Sequence, residues 1–332
     1  MSSAGPLARH LPIFDAALRA ALADGPPELL RLSRYVLGWE SADGSPAAAG
    51  GKRLRPLLCM EVASACGASP VDALPGAVAV ELVHNFSLVH DDIQDRDLLR
   101  HGRPTAWQLI GEAQAINLGN FLYTRGLRQL AESRAPGAQL ALAMLFEAVE
   151  RMVAGQWLDL AFESRSDVTE AEYLDMVAGK TGALLGAAAG IGAALAGAGR
   201  EQVERLRQWG ERLGIAFQVH DDYLGAWGDV SATGKSTSSD IVRRKKTLPV
   251  VLAMATGAGE ELRELYRSPA EDAAHTARIV QLLERAGARE RTRELANSLA
   301  REAEALLAST GLTAGAAGGL YEFGRLIVER DR

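Results

Sequence analysis

The sequence predicts an all-α fold, a single large helical bundle. Aromatic residues make up only 5 % of the 332 residues, whereas Ala and Leu are abundant. This mixture favours helices, because strands prefer β-branched and aromatic side chains. Apolar residues recur at helical spacing along most of the chain, and no stretch carries a convincing strand or hairpin pattern. No internal break marks a second domain, so we predict one domain over 1–332.

Composition excludes several classes of protein. Hydrophobic residues make up 48 % and charged residues 23 % of the chain, which excludes a disordered chain, a fibre and a disulfide-stapled miniprotein. The net charge of -6 gives no general attraction for nucleic acid or an anionic membrane. The first ten residues carry no secretory signal, and the two cysteines form no disulfide framework, so we expect a cytoplasmic protein.

The predicted helices follow one another with short breaks. In the first half, helical patterns cover parts of 1–37, 54–66, 71–95, 105–132 and 138–163. They are separated by a Gly/Ser/Pro-rich loop at 38–51, a polar stretch at 96–104 and a turn at 133–137. In the second half, Thr169 and Glu172 have capping-box spacing and predict a helix start. Helical patterns then cover 201–225 and 247–256, around a polar loop at 228–240.

One stretch could pass for a membrane span. Residues 181–199 carry no charge, and this length approaches that of a spanning helix. The stretch consists mostly of Ala and Gly, which are weakly hydrophobic, and no aromatic belt flanks it. We therefore predict a buried core helix whose small side chains allow neighbouring helices to approach closely.

A tetrapeptide with two aspartates occurs twice. Val89–Asp92 reads VHDD and recurs as Val219–Asp222, each time near the end of an apolar helical stretch. Asp91 and Asp95 are four residues apart and share one helix face. Carboxylates gathered in this way suit a hard cation such as Mg²⁺. The alternative is a solvated acidic helix end, and the repetition beside two apolar runs argues against it.

Three basic clusters accompany the acidic ones. They lie at 50–56 (GGKRLRP), at 100–104 (RHGRP) and at Lys235 together with 243–246. Arginine presents a planar fork to phosphate oxygens, and lysine presents a point charge. Acidic and basic clusters in alternation are what a metal-bridged diphosphate requires, although each basic cluster alone would read as surface ion pairing.

Together these motifs resemble the trans-isoprenyl diphosphate synthases, or polyprenyl synthetases. The matching segments are GGKRLRP (50–56), ELVHNFSLVHDDIQD (81–95), RHGRPT (100–105), GQWLD (155–159), GKTG (179–182), FQVHDD (217–222) and GK…DIVRRKKTLP (234–249). The resemblance implies an all-α bundle around a deep central cavity, usually a homodimer. The motif-bearing core would cover about 50–250, with helical scaffold at 1–49 and 251–332.

The resemblance also implies an activity. It is the condensation of isopentenyl diphosphate with an allylic diphosphate, assisted by Mg²⁺, with three ions when substrate is bound. The catalytic residues carried over are Asp91, Asp92, Asp95, Lys180, Thr181, Gln218, Asp221 and Asp222, of which the five aspartates hold the metal. Arg100, Lys180, Lys235 and Lys245 would bind the allylic diphosphate. Lys52, Arg55, His84 and His101 would bind isopentenyl diphosphate, and Gln156 would line the cavity.

Two positions depart from the family pattern. Gly225 stands where the second aspartate motif usually ends in a third Asp, which should weaken Mg²⁺ binding without abolishing it. His101 stands where a second Arg usually follows the first. Because histidine is only partly charged near neutral pH, affinity for isopentenyl diphosphate should be lower or pH-dependent.

The residues before the first aspartate motif bear on product length. Phe86 and Ser87 lie five and four residues before Asp91, about one helical turn below the metal ligands. A bulky Phe86 would form the floor of an apolar tunnel, although ordinary core packing would also explain it. The pattern is most like that of geranylgeranyl diphosphate synthases, so we predict a twenty-carbon product, with fifteen carbons or a longer chain as the alternative.

Two other classes of protein are alternatives, and each would carry a different set of motifs. A terpene cyclase would need no second diphosphate site and would usually carry an Asn/Ser/Glu metal triad. A non-catalytic partner subunit would tend to lose aspartates from both motifs. The polar loop 228–240 is a candidate lid by position and composition. We expect no nucleic-acid partner and no membrane span.

Overall fold

The computed structural model describes residues 5–47, 51–228, 241, 244–267 and 273–328. Within these ranges nearly all regular structure is helical, and the only sheet has two strands. The predicted all-α fold class is therefore confirmed.

The α-helices of the described chain vary in length from 5 to 28 residues. The α-helices are α1 (Leu11–Ala21), α2 (Pro27–Val36), α3 (Leu54–Ala65), α4 (Leu74–Gln94), α5 (Ala106–Ile110), α6 (Glu112–Ala131), α7 (Ala138–Glu163), α8 (Glu170–Val177), α9 (Ala183–Leu195), α10 (Arg200–Trp227), α11 (Leu248–Met254), α12 (Gly259–Arg267), α13 (Ala273–Arg285), α14 (Ala288–Ala308) and α15 (Ala314–Val328). Short 3₁₀ helices occupy Gly5–His10 and Pro70–Ala73, and a π-helical turn occupies Ala178–Gly182.

Local sequence signals explain several of the helix ends. Thr169 caps α8 as predicted: its hydroxyl accepts the backbone N–H of Glu172 at 3.2 Å, and the Glu172 carboxylate accepts the N–H of Thr169 at 2.9 Å. The predicted helix over 105–132 is divided into α5 and α6. Gly111 lies between them with φ 78°, a left-handed conformation that interrupts a right-handed helix.

The stretch 96–104 contains the one hairpin of the described chain, which sequence analysis missed. Strand β1 (Leu99–Arg100) pairs antiparallel with β2 (Arg103–Pro104). His101 and Gly102 connect them, both with positive φ (52° and 74°), as expected for a tight two-residue hairpin turn. Strands of two residues are too short to show an alternating pattern in the sequence.

The chain divides into two compact units. Unit 1 comprises Met1–Glu147, Ala187–Arg207 and Thr310–Phe323. Unit 2 comprises Ala148–Gly186, Gln208–Ser309 and Gly324–Arg332. Each unit draws on distant parts of the sequence, and the single domain over 1–332 stays a prediction.

In unit 1, the small residues of α9 allow close helix packing. A Cβ atom at Gly192 would lie 2.2 Å from the backbone oxygen of Cys59 in α3. A Cβ atom at Gly76 of α4 would lie 2.3 Å from Ile191 of α9. Neither position has room for a side chain: Gly192 lets α9 approach the backbone of α3, and Gly76 receives the Ile191 side chain of α9. The close packing is what the Ala/Gly-rich stretch predicts.

Unit 2 is built around its own apolar cluster. Phe162 of α7, Tyr173 of α8, Val219 of α10 and Leu248 of α11 are all buried in it. Val219, the apolar residue of the second VHDD copy, therefore faces the core. This places Asp221 and Asp222 next to buried structure.

Among the residues that the structure describes, one helical stretch is long and apolar enough to cross a membrane. It covers Glu170–Leu195, and an 18-residue window within it has a mean hydropathy of 1.2. Within the protein, 89 % of that window is buried, which supports the prediction of a core helix for the uncharged stretch.

Candidate active site

The first aspartate motif, Asp91, Asp92 and Asp95, lies at the C-terminal end of α4. Asp95 is the C-cap residue of this helix, and its backbone N–H donates to the backbone oxygen of Asp91 at 2.8 Å. Asp91 and Asp95 are half-buried, whereas Asp92 is only 4 % exposed. Negative groups at the negative end of a helix dipole repel one another and the dipole. The motif is thus a place where a cation would be stabilised.

Asp92 is held by an arginine from the hairpin. Arg100 donates to Asp92 Oδ1 at 2.7 Å. Burial raises the pKa of Asp92 to about 6, although Arg100 partly offsets the effect and the nearby Asp97 and Asp91 add to it. Sequence analysis assigns Asp92 to the metal and Arg100 to the allylic diphosphate, whereas in the structure the two side chains contact each other.

The hairpin that carries Arg100 is anchored through its other arginine. The guanidinium of Arg103 lies 4.1 Å from the ring centre of Tyr35 and donates to the backbone oxygen of Glu40 at 2.6 Å. Tyr35 in turn donates to the oxygen of Pro104 at 2.6 Å. These contacts hold the hairpin base to α2 and the following loop, while His101 lies exposed at the tip.

The predicted isopentenyl diphosphate residues lie at the start of α3 and along α4. Arg55 and His84 approach each other, with 3.3 Å between Arg55 Nη1 and His84 Nε2. Burial and the charge of Arg55 hold the pKa of His84 well below its usual range. A neutral imidazole can accept the arginine hydrogen through Nε2. Lys52, three residues before Arg55 in the sequence, is exposed.

Phe86 packs against a residue that sequence analysis did not select. Its ring centre lies 5.1 Å from that of Tyr123 on α6 and 4.8 Å from that of His90. Gly119 makes room for His90, because a Cβ atom there would lie 2.3 Å from His90 Nε2. Ser87 donates its hydroxyl to the oxygen of His84 in its own helix, at 2.8 Å.

In unit 2, Asp222 is the centre of a buried network. Gln218 donates to its Oδ1 at 3.0 Å, and the backbone N–H of Leu248 donates to its Oδ2 at 2.8 Å. The Tyr173 hydroxyl also donates to Oδ2. Burial and the Asp222 charge raise the pKa of Tyr173 well above its usual range, which keeps the phenol a donor. Asp221 is half-buried beside it.

The π-helical turn carries Lys180 and Thr181. Lys180 forms an ion pair with Asp159 of α7, and Thr181 donates to Gln218 at 3.2 Å. Gly155 allows this approach, since a Cβ atom there would lie 2.3 Å from the backbone nitrogen of Lys180. Single π-turns in helices are frequent at functional sites. Asp159 belongs to the GQWLD segment, in which the sequence analysis assigns a role to Gln156 but none to Asp159.

The remaining predicted positions are placed as follows. Gln156 is 9 % exposed, and Lys245 and Gly225 are half-buried. Lys235 and nearly all of the candidate lid 228–240 lie outside the described residues.

The aspartates fit Mg²⁺ that arrives with a phosphate ligand. Among the described residues, no group of three or more His, Cys, Asp or Glu side chains is arranged to hold a metal ion. Each VHDD copy does supply oxygen donors, and Mg²⁺ is usually held by one or two carboxylates together with waters and substrate phosphates. These carboxylates therefore suit Mg²⁺ ions that are also bound by a substrate diphosphate better than they suit a metal site formed by the protein alone.

Comparison with known proteins gives consistent results. The model of the polyprenyl synthetase family matches residues 45–283. A (2E,6E)-farnesyl diphosphate synthase of Mycobacterium bovis is 47 % identical over 232 residues, which cover 70 % of this chain and 65 % of the relative. A geranylgeranyl diphosphate synthase of Mycobacterium tuberculosis is 43 % identical, over 73 % of this chain and 70 % of the relative.

A solved structure extends the likeness to the whole fold. The polyprenyl synthetase from Streptomyces coelicolor A3(2) superposes with a TM-score of 0.91 at 39 % identity, covering 96 % of this chain and 98 % of the other. The similarity thus includes the scaffold helices outside 45–283.

Proposed function

Because the chain belongs to the polyprenyl synthetase family, we propose that it is a trans-prenyltransferase that joins isopentenyl diphosphate to an allylic diphosphate. The observation that carries this proposal is the repeated VHDD, each copy with one half-buried aspartate and one buried aspartate held by other side chains. A purely structural protein has no use for two such matched clusters. The named relatives support the same class of activity.

The aspartates would hold Mg²⁺, three ions with substrate bound. Asp91, Asp95 and Asp221 are the half-buried members. Asp222 already accepts hydrogen bonds on both oxygens, so it orients its motif more than it offers ligands. The metal would supply electrostatic stabilisation of the departing diphosphate.

The basic residues would bind the two substrates. Arg100, Lys180, Lys235 and Lys245 would hold the allylic diphosphate, and Lys52, Arg55, His84 and His101 would hold isopentenyl diphosphate. The allylic C–O bond breaks, the double bond of isopentenyl diphosphate forms the new C–C bond, and a proton is lost to the released diphosphate. Thr181 and Gln218, hydrogen-bonded to each other, would line the reacting centre, from which water must be excluded.

The product we propose is the twenty-carbon geranylgeranyl diphosphate. Phe86 with Tyr123 forms an aromatic pair about one turn before Asp91, which suits a floor below the reacting centre. A fifteen-carbon product is the second candidate, since the relatives include both farnesyl and geranylgeranyl diphosphate synthases.

We also propose a cytoplasmic homodimer. Val153 and Trp157 lie one turn apart on α7, with 55 % and 76 % of their surfaces exposed. A large apolar pair on an exposed helix face is typical of a protein interface. A second copy of the chain is the partner that the family resemblance implies.

One experiment tests the activity and the product together. Purified protein is incubated with Mg²⁺, isopentenyl diphosphate and, separately, dimethylallyl, geranyl and farnesyl diphosphate. A twenty-carbon diphosphate supports the whole proposal, and another chain length supports the class but not the floor. Folded protein that forms no product with any primer contradicts the proposal.

A further inference from the structure

Arg53 stands out within the basic segment at the start of α3. It lies between Lys52 and Arg55, yet it is buried, with 8 % of its surface exposed. It precedes α3 in the left-handed conformation, with φ 52° and ψ 33°. This conformation is unfavourable for a residue with a side chain, so contacts of the side chain must hold it there.

The Arg53 guanidinium makes two contacts that meet this need. Its Nη2 donates to the backbone oxygen of Leu37 at 2.5 Å, and its Nη1 forms a buried ion pair with Glu81 of α4. Leu37 ends α2. The first contact therefore joins the end of α2 to the residue that precedes α3 and follows Lys52.

Glu81 connects this contact to the other half of the predicted site. Asn85 donates to Glu81 Oε1 and to the Glu81 backbone oxygen, both at 2.8 Å. Glu81 and Asn85 lie on successive turns of α4, and His84 lies between them in the sequence. His84 contacts Arg55 at 3.3 Å. One buried network thus lies directly beside Lys52, Arg55 and His84.

We propose that Arg53 is a positioning residue for isopentenyl diphosphate: its guanidinium, held by Leu37 and Glu81, sets the placement of Lys52 and Arg55 relative to His84. The inference rests on the proposed function. Glu81 neutralises Arg53 inside the protein, so the charge offered to the diphosphate comes from Lys52 and Arg55. A bidentate guanidinium is needed because lysine cannot reach two acceptors in a fixed geometry.

Two substitutions distinguish the effect of losing the guanidinium contacts from the effect of the backbone conformation. Arg53→Gly accepts the positive φ without strain but removes both contacts. Arg53→Lys keeps the charge but loses the fork. For each, we expect the KM for isopentenyl diphosphate to rise about tenfold, as for loss of a hydrogen bond to a charged group. The KM for the allylic substrate and kcat at saturation should stay within about twofold.

The matched control is Glu61→Gln. Glu61 is a buried glutamate of the same helix, paired with Arg9 and His10, and about 12 Å further along α3 by helix rise. Its substitution should lower thermal stability without raising the KM for isopentenyl diphosphate. If folded Arg53 variants keep the wild-type KM, or if both substrates and kcat are affected equally, the inference is wrong.

Direct binding separates this inference from the proposed function. If the wild-type protein shows no turnover and calorimetry detects no binding of isopentenyl diphosphate, the proposed function itself is contradicted. Wild type that binds, with variants that bind equally well, contradicts only the role of Arg53. If neither Arg53 variant folds, Asn85→Ala decides: a rise of about threefold in the KM for isopentenyl diphosphate supports the network, and an unchanged KM refutes it.

Discussion

The two aspartates of each VHDD copy lie in different surroundings although they are neighbours in sequence. Successive residues of a helix point about 100° apart, so one carboxylate of each pair turns toward the core. Asp92 meets Arg100 there, and Asp222 meets Gln218 and Tyr173. In each pair, the other carboxylate stays half-buried.

Burial of Asp92 predicts a pH dependence of stability in Mg²⁺-free protein. Its pKa is raised from 3.8 to about 6, so the folded state binds the proton more tightly than the unfolded state. This contribution is fully present below pH 3.8 and is lost as pH rises through about 6. After solvent screening we expect a loss of about 1–2 kcal/mol.

Chemical unfolding in EDTA at pH 4.5 and pH 8 measures this loss. Asp92→Asn should remove the part that belongs to Asp92. Asp43→Asn is the control, because the exposed Asp43 has a lowered pKa through its hydrogen bonds to Ser45. Equal pH differences in wild type and Asp92→Asn would contradict the prediction.

The second VHDD copy predicts different roles for its aspartates. Asp222→Asn weakens a buried acceptor of three donors and should cost about 1–3 kcal/mol of folding stability. Asp221→Asn should leave the melting temperature within about 2 °C but raise the Mg²⁺ concentration needed for half-maximal activity. Thermal unfolding and a Mg²⁺ titration check this. Equal loss of stability in both variants would refute it.

Phe86 should limit product length. Phe86→Ala removes one ring of the pair with Tyr123 and should lengthen the product by one or more isoprene units, as measured by chromatography of the hydrolysed alcohols. Phe121→Ala is the control, since Phe121 on the same helix as Tyr123 contacts Arg125 instead. An unchanged product from folded Phe86→Ala would dismiss the floor.

At the scale of elements, the sequence predicts what depends on periodicity and misses what depends on contact between distant residues. The helix over 138–163 and the start at Thr169 follow from local patterns, and both are confirmed. The 99–104 hairpin is missed because two-residue strands carry no pattern, and His-Gly is a weaker turn signal than Asn-Gly. Tyr173, Asp159 and Glu81 are missed because their partners are far away in sequence.

The π-helical turn predicts a sensitive glycine. Gly155→Ala would place a Cβ atom 2.3 Å from the backbone of Lys180 and 2.8 Å from that of Met176. Because backbone atoms can move only by distorting the helix, we expect the free energy of unfolding to fall by about 1–3 kcal/mol. We also expect Lys180 to be displaced and the activity to be lower. Gly315→Ala, with no atom near its Cβ position, is the matched control.

Thermal unfolding and steady-state rates on both glycine variants test this. Gly315→Ala should keep wild-type activity and be at least as stable, because alanine favours a helix more than glycine does. Wild-type stability and activity in Gly155→Ala would show that the turn can shift without consequence.

At the scale of the whole molecule, the predicted residues divide between the two units. Unit 1 holds the first aspartate motif with Lys52, Arg55 and Arg100, and unit 2 holds the second motif with Lys180 and Lys245. The sequence does not predict this division, because it shows no internal break and indicates one domain over 1–332. The anchoring partners within each unit required the structure.

The exposed face of α7 predicts the oligomeric state. Val153→Glu would place a charge beside Trp157, where a second copy of the chain would have to bury it, and an unpaired buried charge is strongly unfavourable. Light scattering should therefore give a dimer mass for wild type and a monomer mass for Val153→Glu. Val71→Glu is the matched control: Val71 is 52 % exposed, close to the 55 % of Val153, but lies in the 3₁₀ helix before α4. It should remain a dimer. A dimeric Val153→Glu, or loss of the dimer in both variants, would place the interface elsewhere, and a monomeric wild type would contradict the homodimer itself.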